Sequence, residues 1–454
     1  MASFTVREIL EATGGKLVQG NPRARIAGIS TDTRTIKGRE LFVAIKGNNF
    51  NGHDFIPSAI KKSSAALVVS EKRKFYYPKE SVVILVKDTT HAFGDIARFH
   101  RLKFKIPVIA ITGSNGKTTA KEMIAEVISK KLKVLKSEGT QNNHIGVPLT
   151  LLRLNSKHKV AILELGTNHP GEIKYLSRIA LPTIAVITNI GPAHLEFFKT
   201  PQTVFKEKSS LLQGLKKPAY AILNNDDSYL SKIKGKGLKI ISFGIRNKSD
   251  FMAGNISKKE DRIVFLVNHK NRFYLNTPSL QNVYNALAAI ACARIFKMDF
   301  ASIRKPLSKF RFPEGRLTIK KVRNVKIIDD TYNANPASLR SAVEVLASYD
   351  SQRKILVCAD MKELGDKAKD LHFSMGRYIA DCGIDALITV GKLARYISEG
   401  ARESGMPGNK IYPLSSTTEA SDKLLQIVRP FDIVLIKGSR AMAMEKIIEK
   451  LFNN

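Results

Sequence analysis

Ile109-Ala-Ile-Thr-Gly113-Ser114-Asn115-Gly116-Lys117-Thr118-Thr119 is the stretch that decides how this chain is read. An apolar run from Pro107 to Ile111 breaks into a glycine-spaced loop that ends in a lysine and two hydroxyls, and a helical segment, Thr119 to Leu132, follows. That order suits a phosphate cradle. Glycines let backbone N–H groups curl around phosphate oxygens, Lys117 can neutralise the outer phosphates, the Thr118 hydroxyl suits Mg²⁺, and the helix aims its N-terminus at the anion. The loop is shorter than G-x-x-x-x-G-K-[ST], because Ile111 stands where that pattern puts its first glycine and the glycine falls at 113. A turn that merely needs glycines explains Gly113 and Gly116 but not the appended Lys-Thr-Thr. The segment predicts an enzyme that uses ATP.

Around this loop the chain has 454 residues, too many for one ordinary core, and the length suggests about three domains. A hydrophobic content of 43% with 25% charged residues is that of a globular protein. No run approaches the roughly 20 apolar residues of a membrane span, and Met1-Ala-Ser-Phe-Thr-Val-Arg-Glu8 lacks the apolar stretch of a signal peptide. The expected setting is the cytoplasm, and the expected state a monomer. Cys292, Cys358 and Cys382 lack CxxC spacing and read as thiols buried in apolar segments, with no Cys/His cluster for zinc. The net charge of +34 would suit nucleic acid if it were clustered, but it is spread in pairs such as Lys61-Lys62, Lys216-Lys217 and Lys320-Lys321, with no Trp and 7% aromatics. Dispersed charge of this kind reads as solvated faces with some benefit for polyanionic substrates, and no nucleic-acid partner is expected.

The expected fold class is α/β in three domains, 1–102, 103–314 and 315–454. The first opens with a helix (Val6 to Ala12) and carries β-like runs at Ile26–Ile29, Leu41–Ile45, Ala65–Val69 and Val82–Val86, with a helical Pro57–Lys62. In the second, apolar strands Val108–Ile111, Val160–Leu165, Ile184–Ile187 and Tyr220–Leu223 alternate with helices, which predicts a mostly parallel sheet. The third repeats the alternation, with strands Lys326–Asp329, Ile355–Ala359, Ala386–Val390 and Ile433–Ile436 and helices Ser338–Leu346 and Thr417–Val428, a Rossmann-like layout without GxGxxG.

Ligands of such sheets sit beyond the carboxyl ends of the strands. There the second domain places Glu164, which closes Val160-Ala-Ile-Leu163, and His194, just past Thr188-Asn-Ile-Gly-Pro-Ala193. A carboxylate, an imidazole and the Thr118 hydroxyl beside ATP phosphates suit Mg²⁺, although histidine is an unusual ligand for that ion. Singly, Glu164 reads equally well as a buried acid on a loop amide and His194 as a core or capping histidine; their shared placement favours function. Asn142-Asn143-His144, Gly166-Thr167-Asn168-His169-Pro170-Gly171-Glu172 and Asp329-Asp330-Thr-Tyr-Asn333-Ala-Asn335-Pro336 are dense in amides and glycine. Such loops suit a many-armed polar ligand, or serve as ordinary turns.

Together these segments resemble, over essentially the whole chain, the Mur ligase family of ATP-dependent amide ligases that build the peptide stem of bacterial peptidoglycan. Within it, the strings 329–336 and 164–172 and Asp360-Met-Lys-Glu-Leu-Gly365 with His372 are most similar to members that join D-alanyl-D-alanine to UDP-N-acetylmuramoyl-tripeptide. The resemblance implies an ADP-forming ligase whose N-terminal domain binds the UDP-sugar peptide, whose central domain binds ATP, and whose C-terminal domain binds the amine. It implies ATP contacts at Gly113, Ser114, Asn115, Gly116, Lys117, Thr118, Thr119, Asn282, Arg316 and Asp330. Catalysis would rest on Lys117, Glu164, His194, Lys208 and Arg316, with metal held by Thr118, Glu164, His194 and a carbamylated Lys208. Substrate contacts would come from Ser30, Asp32, Thr33, Arg34, Lys46, Asn142, Asn143, Thr167, His169, Asn333 and Asn335. Gln281 stands where the family usually has His, and Lys206 is a near neighbour of Lys208.

Rival readings are the ligase that adds the third stem residue, a folylpolyglutamate synthetase and, from another class, a nucleic-acid-stimulated NTPase. The first normally carries a different signature from Asn333-Ala-Asn335, the second has no need of Ser30–Arg34, and dispersed charge speaks against the third.

Overall fold

The computed structural model describes residues 2–47, 50–71, 77–235, 237–349 and 353–453. Near the N-terminus five strands form a sheet in the order Lys16–Gln19, Val82–Leu85, Ala66–Val69, Glu40–Val43, Gly28–Ser30, parallel except at the Lys16–Gln19 edge. Glu40–Val43 and Ala66–Val69 are buried at every position, as parallel strands covered on both faces are. The opening helix spans Val6–Thr13; Thr5 and Glu8 form a capping box at its start, and Gly14, at φ +62°, ends it. Helix Thr89–Leu102, capped by Asp88, joins this unit to the next. Its Phe93, Ile96 and Ala97 lie in one apolar cluster with Val6 and Ile9 on one side and Val108, Ala110 and Leu163 on the other.

The central sheet has nine strands in the order Asn271–Leu275, Arg262–Val267, Phe251–Lys259, Lys239–Gly244, Tyr220–Asn224, Ile184–Ile187, Val108–Thr112, Val160–Glu164, Val134–Lys136. Pairings are parallel from Val134–Lys136 to Phe251–Lys259, and the last three strands are an antiparallel meander. The sequence reading did not anticipate this meander. Its strands are half exposed, the first ending in Lys258-Lys259, and their inward residues, Ala253, Ile263, Phe265, Val267, Phe273 and Leu275, join the core under the alanine-rich helix Leu280–Ile295. Strand Val108–Thr112 lies between Val160–Glu164, reached by winding one way, and Ile184–Ile187, reached by winding the other. This switch point opens a crevice at the strands' carboxyl ends.

The third sheet runs Thr318–Val322, Val325–Asp330, Ile433–Lys437, Lys354–Ala359, Ala386–Val390, Ile411–Leu414, parallel apart from its first pair. Alternate residues feed two apolar layers: Ile328, Leu356 and Leu387 face the layer holding Leu346, Ile379 and Ile397, and Ile327, Ile355 and Ile388 face the layer holding Leu424 and Ile447. Cys292 and Cys358 are buried and Cys382 only partly so, and all three are free thiols. Among the described residues no helix is long and apolar enough to cross a membrane.

Candidate active site

The segment Gly113–Gly116 bridges strand Val108–Thr112 and helix Lys117–Ile128. Two glycines are required by contact. A Cβ at Gly113 would fall 1.9 Å from Thr188 Oγ1, and one at Gly116, φ +80°, would fall 2.6 Å from Asn285 Oδ1. The loop after the neighbouring strand braces it: Asn189 accepts from Ser114 N through its carbonyl and from Asn115 N through Oδ1, both at 2.9 Å, while Thr188 Oγ1 donates to Asn115 O at 2.5 Å. Among the described residues no side chain caps the helix, so the N–H groups of its first turn stay open to an anion. Lys117 Nζ folds back onto Gly113 O at 2.9 Å, within reach of the same opening.

This opening is one end of a cleft of about 1520 Å³ walled by all three sheets' connecting loops. Lys117, Glu164 and His194 all line it. Glu164 is buried at its strand end; Oε1 accepts from Asn142 Nδ2 at 2.8 Å, whereas Oε2 is buried with no hydrogen-bond partner among the described residues. A buried carboxylate oxygen left unpaired is costly and marks a position for a cation. Just upstream of Asn142, the buried Nζ of Lys121 donates to Ser137 O at 2.8 Å and Gly139 O at 2.7 Å. Asn143 Oδ1 accepts from Gly146 N at the start of helix Gly146–Leu151, and Thr167 Oγ1 donates to His169 O. The His169 ring lies against Phe197, centroids 4.3 Å apart and planes tilted by 50°.

Lys208 is buried near the end of helix Pro201–Ser209, at 2% exposure, and is held well below the usual lysine range, first by burial and then by the Lys117 cation; Glu207 opposes this. Burial lowers Lys117 as well, opposed by Glu164 and reinforced by Arg316. Lys117, Lys208 and Arg316 thus gather near the loop against Glu164 and Glu207, a balance suited to a polyphosphate.

The C-terminal unit reaches into the same place. Arg316 Nη2 donates to Thr118 Oγ1 at 2.9 Å while its guanidinium lies 4.0 Å from the Tyr332 ring centroid. Asn335 caps helix Pro336–Ala347 and donates to Asn115 Oδ1 at 2.8 Å. Asp330 lines the cleft but is already engaged: Oδ2 meets Lys437 Nζ at 2.5 Å and Oδ1 accepts from Leu317 N. Asn333 Oδ1 accepts from Ala334 N, and its carbonyl from Lys437. Asn282 donates to Thr277 Oγ1 and accepts from Asn285, whose own Oδ1 is buried, faces Gly116 and has no hydrogen-bond partner among the described residues; Ser279 Oγ is another such atom.

Ser30, Asp32, Thr33, Arg34 and Lys46 are not among the residues that line this cleft. Ser30 Oγ and Asp32 shape a tight turn at the end of strand Gly28–Ser30, Arg34 forks onto Asp32, Lys62 binds Thr33 O, and Lys46 Nζ lies 3.7 Å from Glu71. Arg34 holds Asp32 down at about 2. Sequence reasoning missed Asn189, Ser279, Asn285, Glu363 and Lys437. For Asn189 a signal existed, since its loop follows the strand beside Val108–Thr112; Glu363 and Lys437 act through partners distant in sequence, and Ser279 and Asn285 are marked only by buried oxygens left unpaired among the described residues.

The chain matches the descriptions "Mur ligase family, catalytic domain" over residues 25–101, "Mur ligase middle domain" over 111–293 and "Mur ligase, glutamate ligase domain" over 315–440. It is 35% identical to the UDP-N-acetylmuramoyl-tripeptide–D-alanyl-D-alanine ligase of Bacillus subtilis, across 100% of this chain and 99% of that one. The Escherichia coli ligase of the same name gives 35% over the same shares. Among solved structures, MurF from Acinetobacter baumannii superposes with a TM-score of 0.92 at 32% identity, covering 100% of this chain and 99% of that one. MurF from Thermotoga maritima in complex with ADP gives 0.84 at 27%, covering 94% and 97%. With a phosphate loop at the switch point, a third domain docked on it and relatives that match from end to end, the chain belongs to the Mur ligase family.

Proposed function

We propose that this protein is the ligase that uses ATP to join D-alanyl-D-alanine to UDP-N-acetylmuramoyl-tripeptide, releasing ADP and phosphate. The observation that carries the reading is that the likeness to ligases of this name spans the outer domains as well as the phosphate loop. A phosphate loop by itself speaks only for a nucleotide. A ligase for the third stem residue shares that loop and the whole-chain layout, but a solved structure of that kind superposes with a TM-score of only 0.58 at 18% identity, against 0.92 at 32% for MurF. No observation favours a nucleic-acid-stimulated NTPase.

A carboxylate does not condense with an amine at neutral pH, so the γ-phosphoryl first passes to the tripeptide's terminal carboxylate, giving an acyl phosphate and ADP. The amino group of D-alanyl-D-alanine then attacks the acyl carbon, phosphate leaves and a proton is lost from nitrogen. The open N–H groups of the helix start hold the phosphates, and Lys117 offsets charge on the moving phosphoryl group. Arg316, resting on Thr118 from the third domain, brings a second cation to the same oxygens, and docking of that domain keeps out water that would hydrolyse the acyl phosphate. Asn142, Asn143, Thr167 and His169 line the floor of the cleft, where the tripeptide end would lie, and Asn333 and Asn335 its C-terminal wall, where the dipeptide would lie. The turn at Ser30–Arg34 with Lys46 would take the UDP end.

Mg²⁺ fits these residues: the unpaired Oε2 of Glu164, the Thr118 hydroxyl and His194 supply the few protein ligands that ion takes beside phosphate oxygens and water. When bound, it would screen phosphate charge. A neutral amine at Lys208 is what carbamylation needs, since the lone pair attacks CO₂ and a proton leaves; the product carboxylate would turn the excess of cations into a second acidic ligand. The cytoplasm, where ATP and nucleotide sugars are found, is the compartment this reading assigns, and one chain holds every group it uses.

The test is phosphate release from ATP with Mg²⁺ in the presence of both substrates and with each omitted in turn. Release that requires both and is lost in Lys117→Ala supports the reading; release driven by a folate, by a free third-position amino acid or by nucleic acid overturns it.

A further inference from the structure

His194 and Glu363 meet across the boundary between the central and C-terminal sheets. His194 Nδ1 lies 2.5 Å from Glu363 Oε2, and the histidine donates its proton to the carboxylate. That contact is seated on backbone: Glu196 N donates to Glu363 O at 3.0 Å, and a Cβ at Gly365, φ +58°, would stand 3.0 Å from Glu196 Cα. Both partners hold left-handed backbone without being glycine, His194 at φ +54° and Glu363 at φ +62°. Neither conformation is favourable alone, so each is retained by what surrounds it. With Nδ1 committed, Nε2 is the ring nitrogen left with a lone pair, and no described side chain takes it.

We infer that Glu363 is a positioning residue that fixes the tautomer and the ring plane of His194, so that the metal-facing nitrogen is set only when the C-terminal domain is docked. The inference rests on the ligase reading, in which His194 faces the metal. A histidine that binds a metal commonly gives its other N–H to a carboxylate, and removing that carboxylate weakens the metal even though it never touches it. Here the carboxylate comes from a different domain, 169 residues further along the chain. Docking and metal binding are thereby linked, and linkage is reciprocal: whatever docking does for metal affinity, the metal does for docking. Arg316 on Thr118 and Asn335 on Asn115 tie the same two domains beside the phosphate loop, but neither acts on a metal-facing nitrogen.

The experiment uses the full chain with a non-hydrolysable ATP analogue and Mn²⁺ as probe, read by the electron paramagnetic resonance signal of free and bound ion. Glu363→Ala is expected to weaken Mn²⁺ about tenfold to a hundredfold. His194→Ala is expected to weaken it as well, and the double variant to bind no worse than His194→Ala, since the carboxylate works only through the ring. Glu363→Gln, nearly isosteric and still able to accept from Nδ1–H, is expected to recover most of the affinity. Mn²⁺ binding in Glu363→Ala within about twofold of wild type, the range of an exposed ion pair with no further role, overturns the inference. So does an additive loss in the double variant, or a folded Glu363→Gln that binds no better than Glu363→Ala. Substrate-dependent phosphate release by the wild type, measured alongside, separates the two readings. If it is present while Glu363→Ala binds Mn²⁺ normally, only this inference falls; if it is absent, the ligase reading falls.

Discussion

The phosphate loop at 113–119 and the turn at 30–34 are both placed where an anion is expected, yet they are built in opposite ways. The loop is braced by Thr188 and Asn189, met by Asn335 from the third domain, and keeps its helix-start N–H groups free. The turn is half-buried apart from Arg34, whose side chain is 87% accessible, and it has spent that guanidinium on its own neighbour Asp32 at 2.7 Å. The loop is organised before any ligand arrives. On the proposed reading, in which the turn takes the UDP end, Arg34 must give up an internal ion pair to bind. Substitutions at the loop should therefore remove transition-state stabilisation, while those at the turn should shift only ground-state affinity.

The largest effect is expected at Lys117. Lys117→Ala should lower kcat by at least about a hundredfold to a thousandfold, as loss of one preorganised donor to developing charge does, and phosphate release at saturating substrates measures it. An equal loss in kcat from Arg34→Ala would break the contrast. Next comes Lys208. Assays in CO₂-free buffer should lose most of their rate and regain it on adding bicarbonate, whereas a rate indifferent to bicarbonate would leave Lys208 an unmodified lysine. Stability adds a second readout for the same residue. The folded state holds Lys208 below its ordinary value of 10.5, so across the interval between the two the unfolded chain binds more protons. In CO₂-free buffer stability should rise with pH through that interval and stay flat below it, and Lys208→Met should remove the slope in a denaturant titration.

The contrast also tracks what could be read from the chain. The loop was legible because strand, glycines, lysine and helix start are contiguous, and Glu164 and His194 because they close or follow strands flanking Val108–Thr112. Lys208 was not legible from local pattern. Its helix mixes Lys206, Glu207 and Lys208 with little apolar periodicity, and only tertiary packing buries it; the resemblance to a family singled it out. Glu363 acts on a residue 169 positions away, a reach that no window of sequence covers. The lysine-bearing meander Phe251–Leu275 escaped for a related reason, since alternation at a half-exposed edge gives a weaker signal than a buried parallel strand.

A smaller effect is expected where the third domain touches the loop through an uncharged pair. Asn335→Ala removes the 2.8 Å donation to Asn115, and one neutral hydrogen bond is worth about 1 kcal/mol. The KM for ATP should rise about fivefold, the rate equivalent of that energy, with kcat falling little. A kcat loss near that of Lys117→Ala would mean that Asn335 also holds the reacting dipeptide.

Arg34 should give the smallest change and the most direct test of the contrast. Because the guanidinium must leave Asp32 before it can bind a phosphate, the energy it gives the ligand is offset by the pair it loses. Arg34→Ala should therefore raise the KM for the UDP substrate by only about threefold, the range of an exposed ion pair, with kcat unchanged. The partner substitution decides why. Asp32 is ionised throughout any workable assay, its carboxyl held at about 2 by Arg34, so pH cannot release the pair and mutation must. If Asp32 competes with the ligand for Arg34, Asp32→Asn frees the guanidinium and the KM falls below that of wild type. If Asp32 instead shapes the turn through the bond it accepts from Arg34 N at 2.9 Å, the KM rises with Asp32→Asn and the turn is as organised as the phosphate loop.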